Sequence, residues 1–209
     1  MGAFAQQIQV AIDGIEEQVR ARHVAAARAA LARAVEPRAL PPAIIRVVDG
    51  KIGAPLESVR VPGVILFRLG LLQEVATFAL AAARDLSPVK SGRYRESWVT
   101  LVDGKPRAVS EGPIGPDATV HVVNTQPYAR KIQVRGARFS GVAPKIADRL
   151  ANKIRAEFGT AAFRVSVAFV ELPGGYVTRG RGKGAKRGGT NGKPLRYPAV
   201  LIRQKRSFD

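Results

Sequence analysis

At 209 residues and 46% hydrophobic content the chain can bury a sizeable core, and one domain with appendages is expected. It has no cysteine, which excludes disulfides, thiolate metal sites and cysteine nucleophiles. Its 34 Lys and Arg against 16 Asp and Glu give a net charge of +18, a field that attracts nucleic acid, acidic protein surfaces or anionic lipid and says nothing of fold.

Phe4, Ile8, Ile12, Ile15 and Val19 recur at helical spacing, and Leu31 and Val35 continue an apolar face. They predict one long helix ending before Pro37, with Arg20, Arg22, Arg28 and Arg33 on its polar face. Residues 1–36 therefore read as a helical arm, packed on its own chain or gripping a neighbour. Asp13, Glu16 and Glu17 interrupt its apolar rhythm, so no secretory signal is expected. No segment approaches the roughly 20 apolar residues of a membrane span, and no membrane partner is expected.

Ala43–Val48 followed by Asp49-Gly50 predicts a hairpin. Gly53 and Pro55 delay its return, which is expected through Val59–Phe67. Leu71, Leu72, Val75, Phe78, Ala79, Ala82 and Leu86 form the stripe of a second helix. Pro88 stops it, Ser91 and Gly92 supply turn chemistry, and Ser97–Val102 reads as a strand, so 87–102 is a helix–turn–strand corner. Val-Asp-Gly-Lys recurs at Val102–Lys105, but no longer self-similarity surrounds it and no repeat is expected. After Pro144, Ile146, Leu150, Ile154 and Phe158 mark a third helix that Gly159 ends. Phe163, Val165, Val167 and Phe169 then alternate with smaller or polar residues as a strand.

From 173 to 197 the chain is glycine-rich and basic, with Arg179, Arg181, Lys183, Lys186, Arg187 and Lys193. Such a segment buries too little apolar surface to order itself. The apolar Pro198–Ile202 run beyond it predicts a final strand in 198–209, making 173–197 a long mobile loop between two paired strands. The fold class is α+β: an antiparallel sheet packed with helices, its core domain spanning 37–172.

Catalytic motifs are weak. Ser87-x-x-Lys90 and Lys90-Ser91-Gly92 match two elements of penicillin-binding enzymes, but they share Lys90 and cannot face each other across a site. Gly192-Lys193 is followed by Pro194 where a phosphate loop needs Ser or Thr. His23 and His121 are the only histidines, far apart in sequence, and no metal-ligand spacing surrounds them. No enzyme, metal or cofactor is expected.

The corner Ser87-Pro88-Val89-Lys90-Ser91-Gly92-Arg93-Tyr94-Arg95-Glu96-Ser97-Trp98 resembles the signature of the neck and tail-completion proteins of tailed bacteriophages, which join a filled head to a tail. Pro88, Ser91, Gly92, Arg93, Tyr94 and Ser97 carry the likeness; Lys90 stands where the family has an acid. A second patch, Val120–Arg130 with Asn124, Tyr128 and Ala129, is similar to the family's strand ending in an Asn/Pro-Tyr-Ala turn. The resemblance runs from about Gly70 to Leu172. It implies a non-catalytic structural virion protein at the head–tail junction, made and assembled in the host bacterial cytoplasm. Its partners would be copies of itself in a six- or twelvefold ring, head–tail connector proteins, tail terminator or tail tube proteins, and dsDNA passing through the lumen. The N-terminal helix and the basic loop would dock on those neighbours. The net charge supports an alternative, a nonspecific nucleic-acid-binding protein whose loop cations contact phosphates.

Overall fold

The computed structural model describes residues 2–36, 40–135, 145–177 and 192–205, with side chains from Gly14 onward. The fold is α+β with antiparallel strand pairing, but the strands form two sheets. They belong to two compact units, Met1–Gly70 and Leu71–Asp209. Composition groups 37–172 as one core; the fold divides inside that span because separate apolar clusters form on either side of Gly70. No described helix is long and apolar enough to cross a membrane.

In the first unit, helix α1 runs over Gly2–Val35. Strands β1 (Ala43–Val48), β2 (Lys51–Ile52) and β3 (Ile65–Gly70) form a sheet in the order β2-β1-β3. Val24 of α1 meets Val48, Leu56 and Val59 in the core, with Ile65 and Phe67 packed alongside. Arg20, expected on the polar face, instead turns inward: its Nε donates to the Val59 carbonyl at 3.0 Å. Ile15 and Val19, at i and i+4, stay exposed.

The second unit is built on a five-stranded sheet in the order β5-β4-β6-β8-β7. Its strands are β4 (Trp98–Val102), β5 (Lys105–Pro106), β6 (Thr119–Asn124), β7 (Phe163–Glu171) and β8 (Arg196–Gln204). Helices α2 (Leu72–Asp85) and α5 (Ile146–Phe158) cover one face. Ala76, Ala79 and Ala83 of α2 and Ala147 and Ala151 of α5 are fully or almost fully buried there beside Val120, Val122, Val200 and Ile202. Phe158 links the layers, meeting the rings of Phe78 and Phe163 edge-on. On the other face Leu101, Val123, Tyr197 and Ala199 form a smaller cluster. As expected, Gly159 ends α5, at a positive φ of 70°; Pro144 lies outside the described residues. Strands β7 and β8 pair from Phe163↔Gln204 to Glu171↔Arg196, so they bracket the basic segment.

The duplicated Val-Asp-Gly-Lys marks more than two turns. In each case a long strand ends in Asp and Gly at positive φ (47° and 79°, 50° and 81°). That geometry is a type I′ hairpin, whose twist matches its strands. A two-residue strand, a short 3-10 turn and a long strand on the opposite side of the first follow in both. The turn carboxylate repeats its role too. Asp49 N donates to Val64 O at 2.9 Å and Asp49 Oδ1 accepts from Val64 N at 2.8 Å. Asp103 N donates to Thr119 O at 2.9 Å and Asp103 Oδ1 accepts from Thr119 N at 2.8 Å. The expectation of no repeat is thus corrected at the level of structure.

The same device explains why the return strand starts at Ile65 rather than Val59. Asp49 Oδ2 also accepts from Arg60 N at 2.9 Å, so its carboxylate holds 60–64 as a loop until the ladder begins. These two backbone amides lower its pKa below the usual carboxylate value.

Gly50 and Gly104 have open space at their missing Cβ, so only backbone conformation makes them necessary. Gly50→Ala and Gly104→Ala should each lower unfolding free energy by about 1–2 kcal/mol, the left-handed penalty of an L-residue. Gly115→Ala, equally uncrowded and without positive φ, should be neutral. Urea midpoints read all three, and equal midpoints would remove the turn argument.

Candidate functional site

The end of α2 and the start of β4 are joined through one hydroxyl. Ser87, buried, donates to the Ala83 carbonyl at 2.6 Å in the last turn and accepts from Trp98 Nε1 at 2.7 Å. Pro88 then breaks the helical ladder. Gly92 stands at φ 73°, and the chain enters a single helical turn, α3 (Arg93–Glu96), before β4. The expected turn-to-strand corner therefore contains one more helical turn. It places the Tyr94 ring inside, edge-on to Trp98 and about 6.0 Å from Tyr128.

The second patch closes onto this turn. Asn124 is fully buried and stands opposite Trp98 in the β4–β6 register. Its Nδ2 donates to the Tyr94 carbonyl at 2.7 Å, and its Oδ1 accepts from Gln126 N at 3.0 Å. Gln126 Nε2 donates to Ser97 Oγ at 2.6 Å, and that hydroxyl donates to the Arg93 carbonyl at 2.6 Å. Thr125 N donates to the Ser97 carbonyl at 2.9 Å. Ala129, buried, begins α4 (Ala129–Arg135), a helix the sequence reading does not contain.

The corner has an inner and an outer half. Pro88, Tyr94, Asn124 and Ala129 are buried; Gly92 and Ser97 are half-buried; Ser91, Arg93 and Tyr128 are exposed. A cleft of about 150 Å³ opens between them, lined by Pro88, Lys90, Gly92, Tyr94, Tyr128 and Ile132 among others. Burial, and then the neighbouring Tyr128, push the Tyr94 phenol well above the ordinary tyrosine value. It is a neutral ring that packs rather than a base. The cleft can hold an apolar or aromatic side chain beside a lysine. Gln126 and Thr125 were missed as site residues, although Asn124 two positions before Gln126 is the spacing of an Asx turn.

Of the basic segment, Arg179, Arg181, Lys183, Lys186 and Arg187 lie outside the described residues. Lys193 is exposed, next to Pro194, which bridges to Val177. Leu195 N donates to the Tyr176 carbonyl at 2.7 Å, so both ends of the segment are held together. Among the described residues no three His, Asp or Glu side chains gather as a metal cluster.

No protein-family model, curated protein or solved structure matches this chain.

Two measurements test the site's construction. Asn124→Ala strands the buried Tyr94 carbonyl and the half-buried Gln126 amide, so unfolding free energy should fall by about 2–4 kcal/mol. A loss under about 0.5 kcal/mol would mean that the amide does not organise the corner. His121 supplies the second. It is half-buried in β6, and its Nδ1 has no hydrogen-bond partner among the described residues. Burial, then Arg203, holds its pKa below 6.5, with Asp103 opposing. The unfolded chain therefore takes up a proton first, and stability should be lost as pH falls below about 6.5 while staying flat just above it. Comparing urea midpoints at about pH 7.5 and pH 5.5, His121→Gln should flatten this dependence. An unchanged slope would exonerate His121.

Proposed function

We propose that this chain is a non-catalytic structural protein of a tailed-bacteriophage virion, a neck or tail-completion subunit that joins the DNA-filled head to the tail. The observation that carries the reading is the corner. Two sequence patches that separately resemble this family are bonded into one unit, Asn124 to Tyr94 and Gln126 to Ser97. A resemblance arising from scattered turn residues would have no reason to converge on one buried amide.

The surface adds support. Ile15 and Val19 of α1, Ile52 of β2 and Val64 in the loop before β3 are exposed, Ile52 at 78%. Apolar side chains exposed in this way suit a subunit that completes its burial against neighbours. In this reading the copies form a ring at the head–tail junction, between connector and tail proteins, with dsDNA crossing the lumen. The charge of +18 favours a second reading, a nonspecific nucleic-acid binder. That protein would bind duplex DNA tightly, with a slope of about −0.9 in log affinity against log salt per phosphate contacted. A neck subunit should grip its passing cargo weakly.

Electron microscopy of a lysate from a producing strain lacking this gene tests the proposal. DNA-filled heads beside complete, unattached tails are the expected result. Normally joined particles would overturn it.

A further inference from the structure

At one end of the five-stranded sheet lies a groove of about 650 Å³, separate from the corner cleft. Arg155, Arg164, Arg203 and Lys205 line it, with Thr119 and the single described acid Asp117. Arg164 and Arg203 are direct partners in the β7–β8 register, so two guanidinium groups leave the same face of adjacent strands side by side. Like charges in that position are destabilising. Four cationic side chains line the groove against the one acidic side chain, Asp117.

Two of the cations are already held in place. Arg155 donates from Nη2 to the Val165 carbonyl and from Nη1 to Asn152 Oδ1, both at 2.7 Å. Arg203 Nε donates to Thr119 Oγ1 at 3.0 Å. These bonds leave other guanidinium N–H groups free to donate, and a fork fixed in advance loses little freedom when it meets an oxyanion. A repulsive, pre-set cluster in a groove is the arrangement a carboxylate or phosphate ligand would relieve.

We infer that this groove binds an extended acidic peptide segment of a neighbouring protein, its carboxylates set between Arg164, Arg203 and Arg155. An extended strand places every second side chain on one side, about 7 Å apart. Arginines on paired strands, about 5 Å apart at Cβ, can bracket that spacing. Duplex nucleic acid fits less well. It carries one charge per roughly 1.7 Å of axis, far closer than the roughly 7 Å between same-side side chains of an extended peptide. Single strands gain affinity by stacking, and the aromatic in the lining, Phe163, is buried. The inference rests on the neck reading only for the identity of the neighbour.

The test is fluorescence polarisation of a fluorescein-labelled hexaglutamate peptide with the full chain at about 0.15 M salt. Arg164 is exposed, and among the described residues its side chain has no hydrogen bond, so Arg164→Gln should fold normally. It should weaken binding about fivefold, and Arg164→Gln with Arg203→Gln by at least about tenfold, the loss expected for charge-assisted contacts. Lys51→Gln with Lys105→Gln removes the same charge from two hairpins and should leave affinity within about twofold. The inference fails if the wild type does not bind, or if both double variants weaken alike, since net charge would then suffice. It also fails if a short DNA duplex displaces the peptide at lower concentration with the same arginine dependence. None of these results depends on whether heads and tails join in the gene's absence, so the two proposals fail separately.

Discussion

One buried amide, Asn124, sets the geometry on which the second unit depends. It sits where water is excluded, and both ends of its side chain are satisfied, by Tyr94 and by Gln126. Such a group is costly anywhere else, so it specifies a single arrangement as well as stabilising it. Asn124 also fixes register, because it faces Trp98 across β4 and β6. A slip of one residue would turn Val120 and Val122 away from α2 and α5 and bring Val123 and His121 in their place. Strand β8 pairs with β6, and β7 with β8, so the order set at Asn124 is inherited across the sheet.

The repeated hairpins show how little sequence a recurring shape requires. Four residues are shared, yet each copy has the same run of long strand, tight turn, short strand, 3-10 turn and returning strand. What recurs is a pair of positive φ values and a carboxylate that captures an amide of the next strand. The rest of each segment needs only apolar alternation, which many sequences satisfy. Comparison of residues alone therefore saw two turns and no repeat.

Where the sequence was legible, periodicity made it so. Helices α2 and α5 and strand β7 lie close to where their stripes predicted, because each buries one continuous face. Short elements left no such trace. Helix α3 is one turn, and α4 buries only Ala129, Ile132 and Gln133. The start of β3 was misread for a different reason. Val59 is a core residue and looked like the head of a strand, but the Asp49 carboxylate, which holds Arg60 N from eleven residues earlier, decides where pairing begins. At the candidate site both halves of the corner were visible as turn chemistry. The bond between them was not, since nothing local in Tyr94 or Asn124 announces a contact across 30 positions. The groove arginines were equally silent, because only the β7–β8 register sets Arg164 beside Arg203.

Charge places a constraint on assembly, if the neck reading holds. Copies that each carry +18 repel one another, and in the proposed ring the exposed apolar side chains of α1 and the first sheet would have to overcome that repulsion. Acidic segments seated in the groove of each subunit would remove the penalty locally, and would do so only where the acidic neighbour is already in place. Electrostatic complementarity of this kind governs encounter rate and partner choice more than final affinity. Apolar contact would then hold neighbouring copies together, while the arginines decide when and on what template they gather. In the proposed neck, a ring controlled in this way would form on its platform rather than free in solution, which would keep an unoccupied neck from closing before it meets a head.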